Sequence, residues 1–562
     1  MAPVRRPLAP VLAAALTGAA LYAPSIRFGY VWDDRSLIEQ NRYIHDAREL
    51  RANLSGDYFR RSETPERIGH WRPAVTATFM ADWAAGGGRP AAFHLHNVVL
   101  YAVTCGLVAA VAAALGAGAA GALAAGLLFA AHPAHVESVA WISGRTDLLC
   151  GLFVLLTVWC DAAGSGSGRA AWRWASGAAT LFALLAKEMG IVAPAAVALR
   201  AAILPPGERR GVARTVLPHL LACGAYLALR FAVFGIAPKA PEAATHGRTA
   251  LFLTWWSAFL DYMRVLIVPI RSSIVPGVHL ETRLLAPRVA AGLVLFALIA
   301  AAAWRLRRSR PIAAWALATF LVAFVPLTNF IVPIRAPAGV AFPWAERFLF
   351  VPSIFAAIAA GFGLTRTKRA GGAIAVALVL AFAGRTLARE RAWRDQRTLF
   401  AATVREAEGD AAAHVDLGAA LMDEGDAEGA ERHLRRALAL APDNAIAHFD
   451  LGNLLRARGD LDGAARAYRA ALASRPGYPQ AWNNLGLVAV AGGRLDDAEA
   501  AFREADRAMG GYPAAKLNLA TLLRGTGRTA EAIPVLEAAL ALDPDFTAAR
   551  AALAAARSAP RP

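Results

Sequence analysis

Residues 414–447 read HVDLGAALMDEGDAEGAERHLRRALALAPDNAIA, and residues 448–481 read HFDLGNLLRARGDLDGAARAYRAALASRPGYPQA. The two stretches align residue by residue, and the same 34-residue register continues to Pro544. The recurring positions are Leu417-Gly418, Leu451-Gly452, Leu485-Gly486 and Leu519-Ala520; Gly425, Gly459, Gly493 and Gly527; Ala430, Ala464, Ala498 and Ala532; and the closing Pro442, Pro476 and Pro544. A repeat of this length is one supersecondary unit, so the pattern predicts a solenoid of stacked helix pairs.

A period of 34 residues is typical of the tetratricopeptide repeat (TPR), in which small residues let two helices cross closely. Residues 411–556 are therefore predicted to form a TPR array of four repeats and a capping helix, after a linker at 389–410. Residues 1–388 lack this repeat and are apolar enough to lie in a lipid bilayer. The central question is why a peptide-binding solenoid follows a membrane domain.

The composition places the chain among integral membrane proteins. Apolar residues make up 57% and charged residues 18%, with a mean hydropathy of +0.40, far from the average for soluble proteins. The net charge of +17 is typical of cytoplasmic loops in a membrane protein rather than of nucleic-acid binding. The four cysteines lie in apolar stretches without a CxxC pair, which argues against a disulfide framework or a zinc site.

The apolar segments predict a polytopic, all-α transmembrane domain with about eleven spans, each near the length needed to cross the hydrocarbon layer. The predicted spans are 8–24, 94–114, 116–131, 147–162, 172–186, 190–204, 214–235, 288–304, 311–332, 348–364 and 371–386. Asp261 and Arg264 interrupt one more apolar stretch, 251–270, which is predicted to lie along the membrane surface. The first span could instead be a cleaved signal peptide, although the spans behind it favour an uncleaved helix.

Short basic loops predict the orientation. Under this count the loops at 5–6, 209–214, 305–310 and 366–369 share one side, which the positive-inside rule assigns to the cytoplasm. The N-terminus would then be cytoplasmic and the TPRs extracytoplasmic. The other side would receive the long loop 25–93, the turn 132–147, the Lys187-Glu188 junction and the stretch 334–346. Most of the remaining charged residues of the membrane domain fall on that side.

Two adjacent acids, Asp33 and Asp34, follow the first span. Neighbouring carboxylates raise each other's pKa unless a cation lies between them. One of them, held ionised, could act as a general base toward a hydroxyl group. The alternative is a helix-capping or solvated pair.

Further polar residues are predicted at the same membrane face, where ionisable groups are costly and often mark a site. His132, His135 and Glu137 could ligate a divalent cation, or could hydrogen-bond a substrate, since Pro133 breaks a single helical face. Arg145 and Lys187 are candidates for phosphate binding.

Seven segments in order resemble the transmembrane and TPR-containing (TMTC) O-mannosyltransferases. They are YVWDD at 30–34, HWRP at 70–73, FHLHN at 93–97, HPAHVESVA at 132–140, GRTDLL at 144–149, KEMG at 187–190 and ERFLFVPS at 346–353, with the TPRs last. The resemblance covers almost the whole chain. Ala-, Arg- and Gly-rich usage further suggests a bacterial member in an inner membrane.

The resemblance implies a GT-C glycosyltransferase that takes a sugar from a polyprenyl-phosphate-linked donor. By match, Asp33 or Asp34 would be the base. Arg72, His94, Arg145, Lys187 and Arg347 would surround the donor phosphate or sugar, with His132, His135, Glu137, Asp147, Glu188 and Glu346 as supporting polar residues. Mannose is the donor sugar that the family implies, and metal dependence stays open.

The TPR array offers a concave surface suited to a protein or peptide acceptor. Asn453, Asn483, Asn484 and Asn518 lie on or next to first-helix positions of successive repeats, where they could bind a peptide backbone or could merely cap or hydrate the helices. Two other classes of protein remain as alternatives. A non-catalytic scaffold needs one span only, and a transporter would place its charges near the bilayer midplane.

Overall fold

A computed structural model of the chain describes residues 8–56, 58, 70–167, 169–203, 212–234, 248–269, 280–328, 345–365, 368–544 and 546–558. Within these ranges the secondary structure is helical throughout, which agrees with the predicted all-α class. The chain divides into two compact units, Met1–Leu399 and Phe400–Pro562.

The first unit holds the apolar helices. In chain order they are α1 Leu8–Tyr22, α2 Arg42–His45, α3 Leu50–Leu54, α4 Pro73–Gly86, α5 Pro90–Ala114, α6 Gly118–Ala131, α7 Val136–Ala140, α8 Arg145–Ser167, α9 Ala170–Ala186, α10 Val192–Ile203, α11 Val212–Phe234, α12 Arg248–Ile267, α13 Pro287–Leu306, α14 Pro311–Val322, α15 Phe350–Leu364 and α16 Lys368–Glu390. Small residues let these helices approach closely, as membrane helices require. A Cβ atom on Gly361 of α15, for example, would lie only 2.4 Å from the Gly121 carbonyl oxygen of α6.

Eight helices in the described residues are long and apolar enough to cross a membrane, or nine if the bent pair Gly118–Ala131 and Pro133–Ala140 is one span. This supports a multi-pass membrane protein but is fewer than the eleven predicted spans. Three predicted spans, α9, α10 and α14, have only 17, 12 and 12 residues, whereas α12, which was not among the eleven, is long and apolar enough to be counted. At 1.5 Å per residue, α10 and α14 are much shorter than the hydrocarbon layer.

Helix α12, which we predicted to lie on the membrane surface, is long and apolar enough to cross a membrane. Its Leu266 carbonyl oxygen, near the helix C-terminus, lies 2.9 Å from His132 Nε2. The C-terminal half of α11 packs beside the Trp71 ring through Tyr226. Both helices thus reach the face where α6 and α9 end, and the length and composition of α12 are those of a membrane-spanning helix, contrary to the predicted surface location.

That face is where several helix ends meet, and we call it the polar face. Helices α1, α6 and α9 end there, and α5, α8 and α15 begin there. Four contacts join these ends: Asp34 with Ser143, Lys187 with Asp147, Arg347 with Glu137, and His94 with the Gly29 carbonyl group. Helix termini with their polar groups are therefore gathered in one place.

After α17 (Gln396–Glu406), the second unit contains the repeats. Its helices are α18 Ala411–Asp423, α19 Ala427–Leu440, α20 Ala445–Ala457, α21 Leu461–Ser474, α22 Pro479–Ala491, α23 Leu495–Met509, α24 Pro513–Gly525, α25 Thr529–Leu542 and α26 Thr547–Ser558. The recurring Gly425, Gly459, Gly493 and Gly527 have φ values of +82°, +83°, +72° and +81°, in the region that only glycine adopts easily. At Gly486 a Cβ atom would lie 2.6 Å from the Phe502 ring, so a small residue is required where α22 crosses α23.

Candidate active site

Asp34 is buried in the polar face. One carboxylate oxygen accepts hydrogen bonds from the Ser143 backbone N–H at 2.9 Å and from the Ser143 hydroxyl at 2.6 Å, and the other accepts from the Val31 N–H at 3.4 Å. The side chain is 0% exposed. Asp34 therefore fastens the first loop to the start of α8 and is not available to a substrate.

Burial raises the pKa of Asp34 to about 7 from an ordinary 3.8, although the hydrogen bonds from Ser143 and Val31 oppose the shift and Asp33 adds to it. The folded protein thus holds this proton more tightly than the unfolded chain does. The stabilisation that results is fully present below about pH 4, and it is lost as the pH rises through 7.

We therefore expect wild-type protein to lose stability relative to an Asp34→Asn variant between pH 5 and pH 8, by on the order of 2 kcal/mol. The uncharged Asn keeps an acceptor for Ser143 and has no proton to lose. Thermal unfolding in detergent at several pH values measures the difference between the two proteins. A difference that does not change with pH would show that Asp34 does not titrate in this range.

Asp33 differs from its neighbour because its side chain is only half-buried. Its backbone carbonyl accepts a hydrogen bond from the Ser36 hydroxyl at 3.2 Å, and its carboxylate interacts electrostatically with Arg347. Of the two acids, Asp33 is the one that a substrate hydroxyl could reach.

Trp32, which precedes Asp33, is the one non-glycine residue with positive φ (+52°) in the described part of the chain. A left-handed backbone at a bulky residue costs about 1–2 kcal/mol. Its ring stacks on Trp141 with centroids 5.0 Å apart, and this packing holds the strained conformation. Strain of this kind is frequent at functional sites.

Three cations from separate elements lie at the polar face, and one of them, Arg347, interacts electrostatically with Asp33. Arg72 lies 3.6 Å from Glu188, the Lys187 Nζ atom lies 2.5 Å from the Asp147 carboxylate, and Arg347 pairs with Glu137 through its side chain. Their side chains are 14%, 7% and 23% exposed. Burial lowers the pKa of Lys187; Asp147 opposes this shift, whereas the charges of Arg72 and Arg347 add to it. We call these three residues the cation cluster, in which Lys187 lies within electrostatic range of both arginines.

Arg145 and His94, predicted to contact the donor, are instead directed into the protein. The Arg145 guanidinium is 0% exposed, pairs with Asp82 at 2.5 Å, and donates to Asn97, Thr78 and the Phe93 carbonyl group. His94 is also 0% exposed, and its Nε2 atom lies 3.3 Å from the Gly29 carbonyl oxygen. Both residues position α4, α5 and the first loop, and neither is placed to bind a phosphate.

His132, His135 and Glu137 were considered as metal ligands, but each faces protein groups. The His132 ring accepts from the Ala134 N–H and contacts the Leu266 carbonyl group, whereas His135 lies between the Tyr101 and Ser353 hydroxyls at 2.8 Å. Glu137 pairs with Arg347. The described residues contain no group of three or more His, Cys, Asp or Glu arranged for a metal.

Glu346 stands before α15 and is 1% exposed. It pairs with Arg389 at 2.6 Å, and Arg389 also donates to the Pro133 carbonyl group. Glu346 thus joins α15, α16 and the turn after α6. Most of the predicted outer stretch 334–346, up to residue 344, lies outside the described residues.

An apolar groove of about 560 Å³ opens between α12, α13, α14 and α15. Met263 and Leu266 form one end, close to the polar face, where Leu266 contacts His132. Arg310 and Pro311 form the other end, at the turn between α13 and α14. The groove is therefore apolar, and its Met263 end lies next to Tyr262, which is within electrostatic range of Arg347.

In the second unit the predicted groove asparagines contact one another. Asn484 donates to Asn453 at 2.8 Å, and Asn518 donates to Asn483 at 2.8 Å, so each bond joins two successive repeats. The Tyr468 hydroxyl also donates to Asn453. These asparagines therefore link successive repeats. The alternative interpretation, in which they only cap or hydrate the helices, does not describe these contacts.

Sequence reasoning missed Ser143, Asp82 and Trp141, which hold Asp34, Arg145 and Trp32. Ser143 and Asp82 are ordinary polar residues in sequence, and only the fold shows their partners. Trp141 lies in the turn between two motifs that were recognised, so its position was the one available signal.

Comparison with known proteins finds repeat families and a set of membrane-protein relatives. Residues 415–465, 449–514 and 489–556 match family models described as tetratricopeptide repeat. Protein O-mannosyl-transferase Tmtc1 of Drosophila melanogaster is 38% identical over 140 residues, which cover 24% of this chain and 16% of the relative. The chain is therefore similar to the TMTC proteins over part of its length. The human TMTC2 protein, also named a protein O-mannosyl-transferase, is 30% identical over 186 residues, 32% of this chain and 22% of the relative.

These matches span less than a quarter of each curated relative. A crystal structure of MamA is 24% identical, covers 26% of this chain and 84% of its own, and has a TM-score of 0.24. The TMTC relatives support a family likeness over the matched residues alone.

Proposed function

We propose that this chain is a membrane glycosyltransferase that moves a sugar from a polyprenyl-phosphate donor to a hydroxyl group of a protein acceptor. The observation that carries the proposal is the convergence of an accessible carboxylate, Asp33, with the cation cluster at one face of a membrane domain. The names of the TMTC relatives support a mannosyl donor.

In the proposed reaction Asp33 accepts the proton of the acceptor hydroxyl, and the hydroxyl oxygen attacks the anomeric carbon of the sugar. The bond from that carbon to the phosphate oxygen breaks with inversion, and its electron pair leaves with the polyprenyl phosphate. Arg72, Lys187 and Arg347 stabilise the charge that develops on the leaving phosphate. Asp34 takes no proton from the acceptor and holds the loop that presents Asp33.

The apolar groove supports a lipid-linked donor because a polyprenyl tail needs an apolar surface that continues from the phosphate site. With the phosphate at Arg347, the tail would enter at Met263 and Leu266 and pass between α13 and α15. Burial of such a chain contributes about 0.8 kcal/mol per methylene group, so the groove would supply much of the donor affinity.

We expect Ala360→Trp, which fills the groove on α15, to raise the KM for a long-chain donor by about tenfold or more and to affect a short-chain donor far less. The matched control is Ala377→Trp on α16, where the side chain is exposed and lies outside the groove. Transfer kinetics with donors of two chain lengths measure the effect. Equal KM changes for both lengths, or none, would place the tail elsewhere.

The orientation belongs to the same proposal, with the polar face and the TPRs extracytoplasmic and the N-terminus in the cytoplasm. Cysteines placed singly at Ser55 and Ser474 should react with a membrane-impermeant reagent in intact spheroplasts, whereas one at Ser309 should react only after permeabilisation. The reverse pattern would put the proposed site in the cytoplasm. Positions 207 and 338, in two other loops of interest, lie outside the described residues.

The proposed function is tested with the purified full-length protein in lipid nanodiscs, incubated with polyprenyl-phosphate mannose or glucose and Ser/Thr-containing peptides. Transfer of labelled sugar to the peptide, lost in Arg347→Ala and kept in the exposed-site control Arg435→Ala, is the expected result. Peptide that stays unmodified with every donor, while the TPRs still bind partners, would favour a membrane-anchored scaffold.

A further inference from the structure

Trp32, directly before Asp33 in the chain, forms a two-ring stack with Trp141, and the Arg347 guanidinium lies beside this stack. The Trp32 and Trp141 rings stack with centroids 5.0 Å apart and planes 25° from parallel. The Arg347 guanidinium lies 5.9 Å from the Trp32 ring and 5.3 Å from the Trp141 ring. Trp141 is 6% exposed and is backed by Trp393, so it forms the buried layer.

Trp32 is the outer of the two stacked rings. Its side chain is half-buried, although its backbone is strained at φ +52°. A tryptophan ring that served only to fill the core would not require a left-handed backbone at its own residue, because a turn with ordinary φ values could place such a ring. The strain is explained if the chain turns sharply in order to place the ring and the next side chain, Asp33, beside each other.

The Trp141 indole N–H points to a further requirement. It is buried and has no hydrogen-bond acceptor within the described residues. Buried donors are nearly always paired in native proteins, and a water molecule or a ligand oxygen would satisfy this one.

We infer that the Trp32 ring is the binding platform for the hexose ring of the lipid-linked donor, with Trp141 as its support. The inference rests on the proposed function, since it takes the donor phosphate to lie at Arg347. A sugar is joined to that phosphate through its anomeric carbon, so its ring falls within reach of an aromatic face about 6 Å from the guanidinium. Asp33 then lies beside the anomeric carbon, where the acceptor attacks.

The platform is tested by binding measurements on the full-length protein with two lipids of equal charge. One is polyprenyl-phosphate mannose, and the other is the polyprenyl methyl phosphate diester, which has the same tail and charge but no sugar. In Trp32→Gly the ring is removed while the left-handed backbone is retained at no steric cost. Trp32→Phe keeps an aromatic face, and Trp174→Leu on the exposed side of α9 is the matched control.

For Trp32→Gly we expect the Kd for the mannose lipid to rise about tenfold, which corresponds to about 1.4 kcal/mol, and the Kd for the methyl diester to stay unchanged. Trp32→Phe should remain within about threefold of wild type for both lipids, and Trp174→Leu should match wild type. An equal rise for both lipids, or no rise for either, overturns the platform alone. A wild-type protein without preference for the mannose lipid would instead count against the proposed function, and the platform would fall with it.

Discussion

Asp33→Asn should lower the kcat of sugar transfer by at least about a hundredfold while the donor Kd changes little. Its carboxylate is the accessible one of the acidic pair, and a general base contributes about this much to the rate. The amide has nearly the same shape but cannot accept the acceptor's proton. Single-turnover transfer with labelled donor separates the chemical step from binding.

Asp34→Asn should also lower transfer by at least about a hundredfold, but for a different reason. An Asn side chain presents N–H to the Val31 N–H where the carboxylate accepted a bond, so the loop carrying Asp33 shifts. The double variant should be little worse than the worse single, because the two residues act as a unit. The control Glu39→Gln removes an exposed carboxylate from the same loop and should behave as wild type. Normal turnover by Asp33→Asn would remove Asp33 from the reaction.

Deletion of the chain from Ala411 onward should reduce modification of a full-length protein acceptor by about a hundredfold or more. A tethered binding surface raises the local concentration of its partner, and effects of 10²–10⁴ are typical of such linkage. Transfer to short peptides at high concentration, and donor hydrolysis, should stay within about threefold of wild type. The same assays on matched nanodiscs measure both.

Two results would contradict the assignment of acceptor binding to the TPRs and of sugar transfer to the membrane domain. Loss of donor hydrolysis in a truncated protein that still folds would mean that the repeats help to build the site. Unchanged modification of every acceptor would mean that the TPRs serve a separate partner, as in the scaffold interpretation.

The repeat unit could be predicted closely because its constraints are local. A left-handed turn at Gly425 and its equivalents, and a helix crossing at Gly452 or Gly486, each exclude larger side chains, so the sequence displays them at a fixed spacing. Each repeat also contacts only its neighbours. The pattern therefore carries nearly all the information that determines the structure.

The candidate site was predictable only in part. The motifs include Asp33, Arg72, Lys187 and Arg347, and the structure brings these four residues to one face. Residue type could not show which charges are used within the protein. Arg145 looked like a phosphate ligand, but it is saturated by residues 48 to 67 positions away, together with Asp82.

The same limit applies to the acidic pair and to the spans. Asp33 and Asp34 are equivalent in sequence, and the difference comes from Ser143, which is 109 residues from Asp34. Hydropathy likewise identifies apolar segments but not where a helix ends, so α10 and α14 were predicted to be longer than they are. Contacts distant in sequence decide both questions.

The carboxylate partners of the cation cluster have a consequence for turnover. In the proposed reaction the donor is a phosphodiester with one negative charge, whereas the product is a monoester with a charge near −1.5 to −2 at pH 7. Three unpaired cations would hold that product more tightly than the donor and would stall the enzyme. Glu137, Asp147 and Glu188 already pair with Arg347, Lys187 and Arg72, so they compete with the spent lipid and allow it to leave. The three carboxylates thus act as displacing ions within the protein, because they replace the product phosphate on the cations.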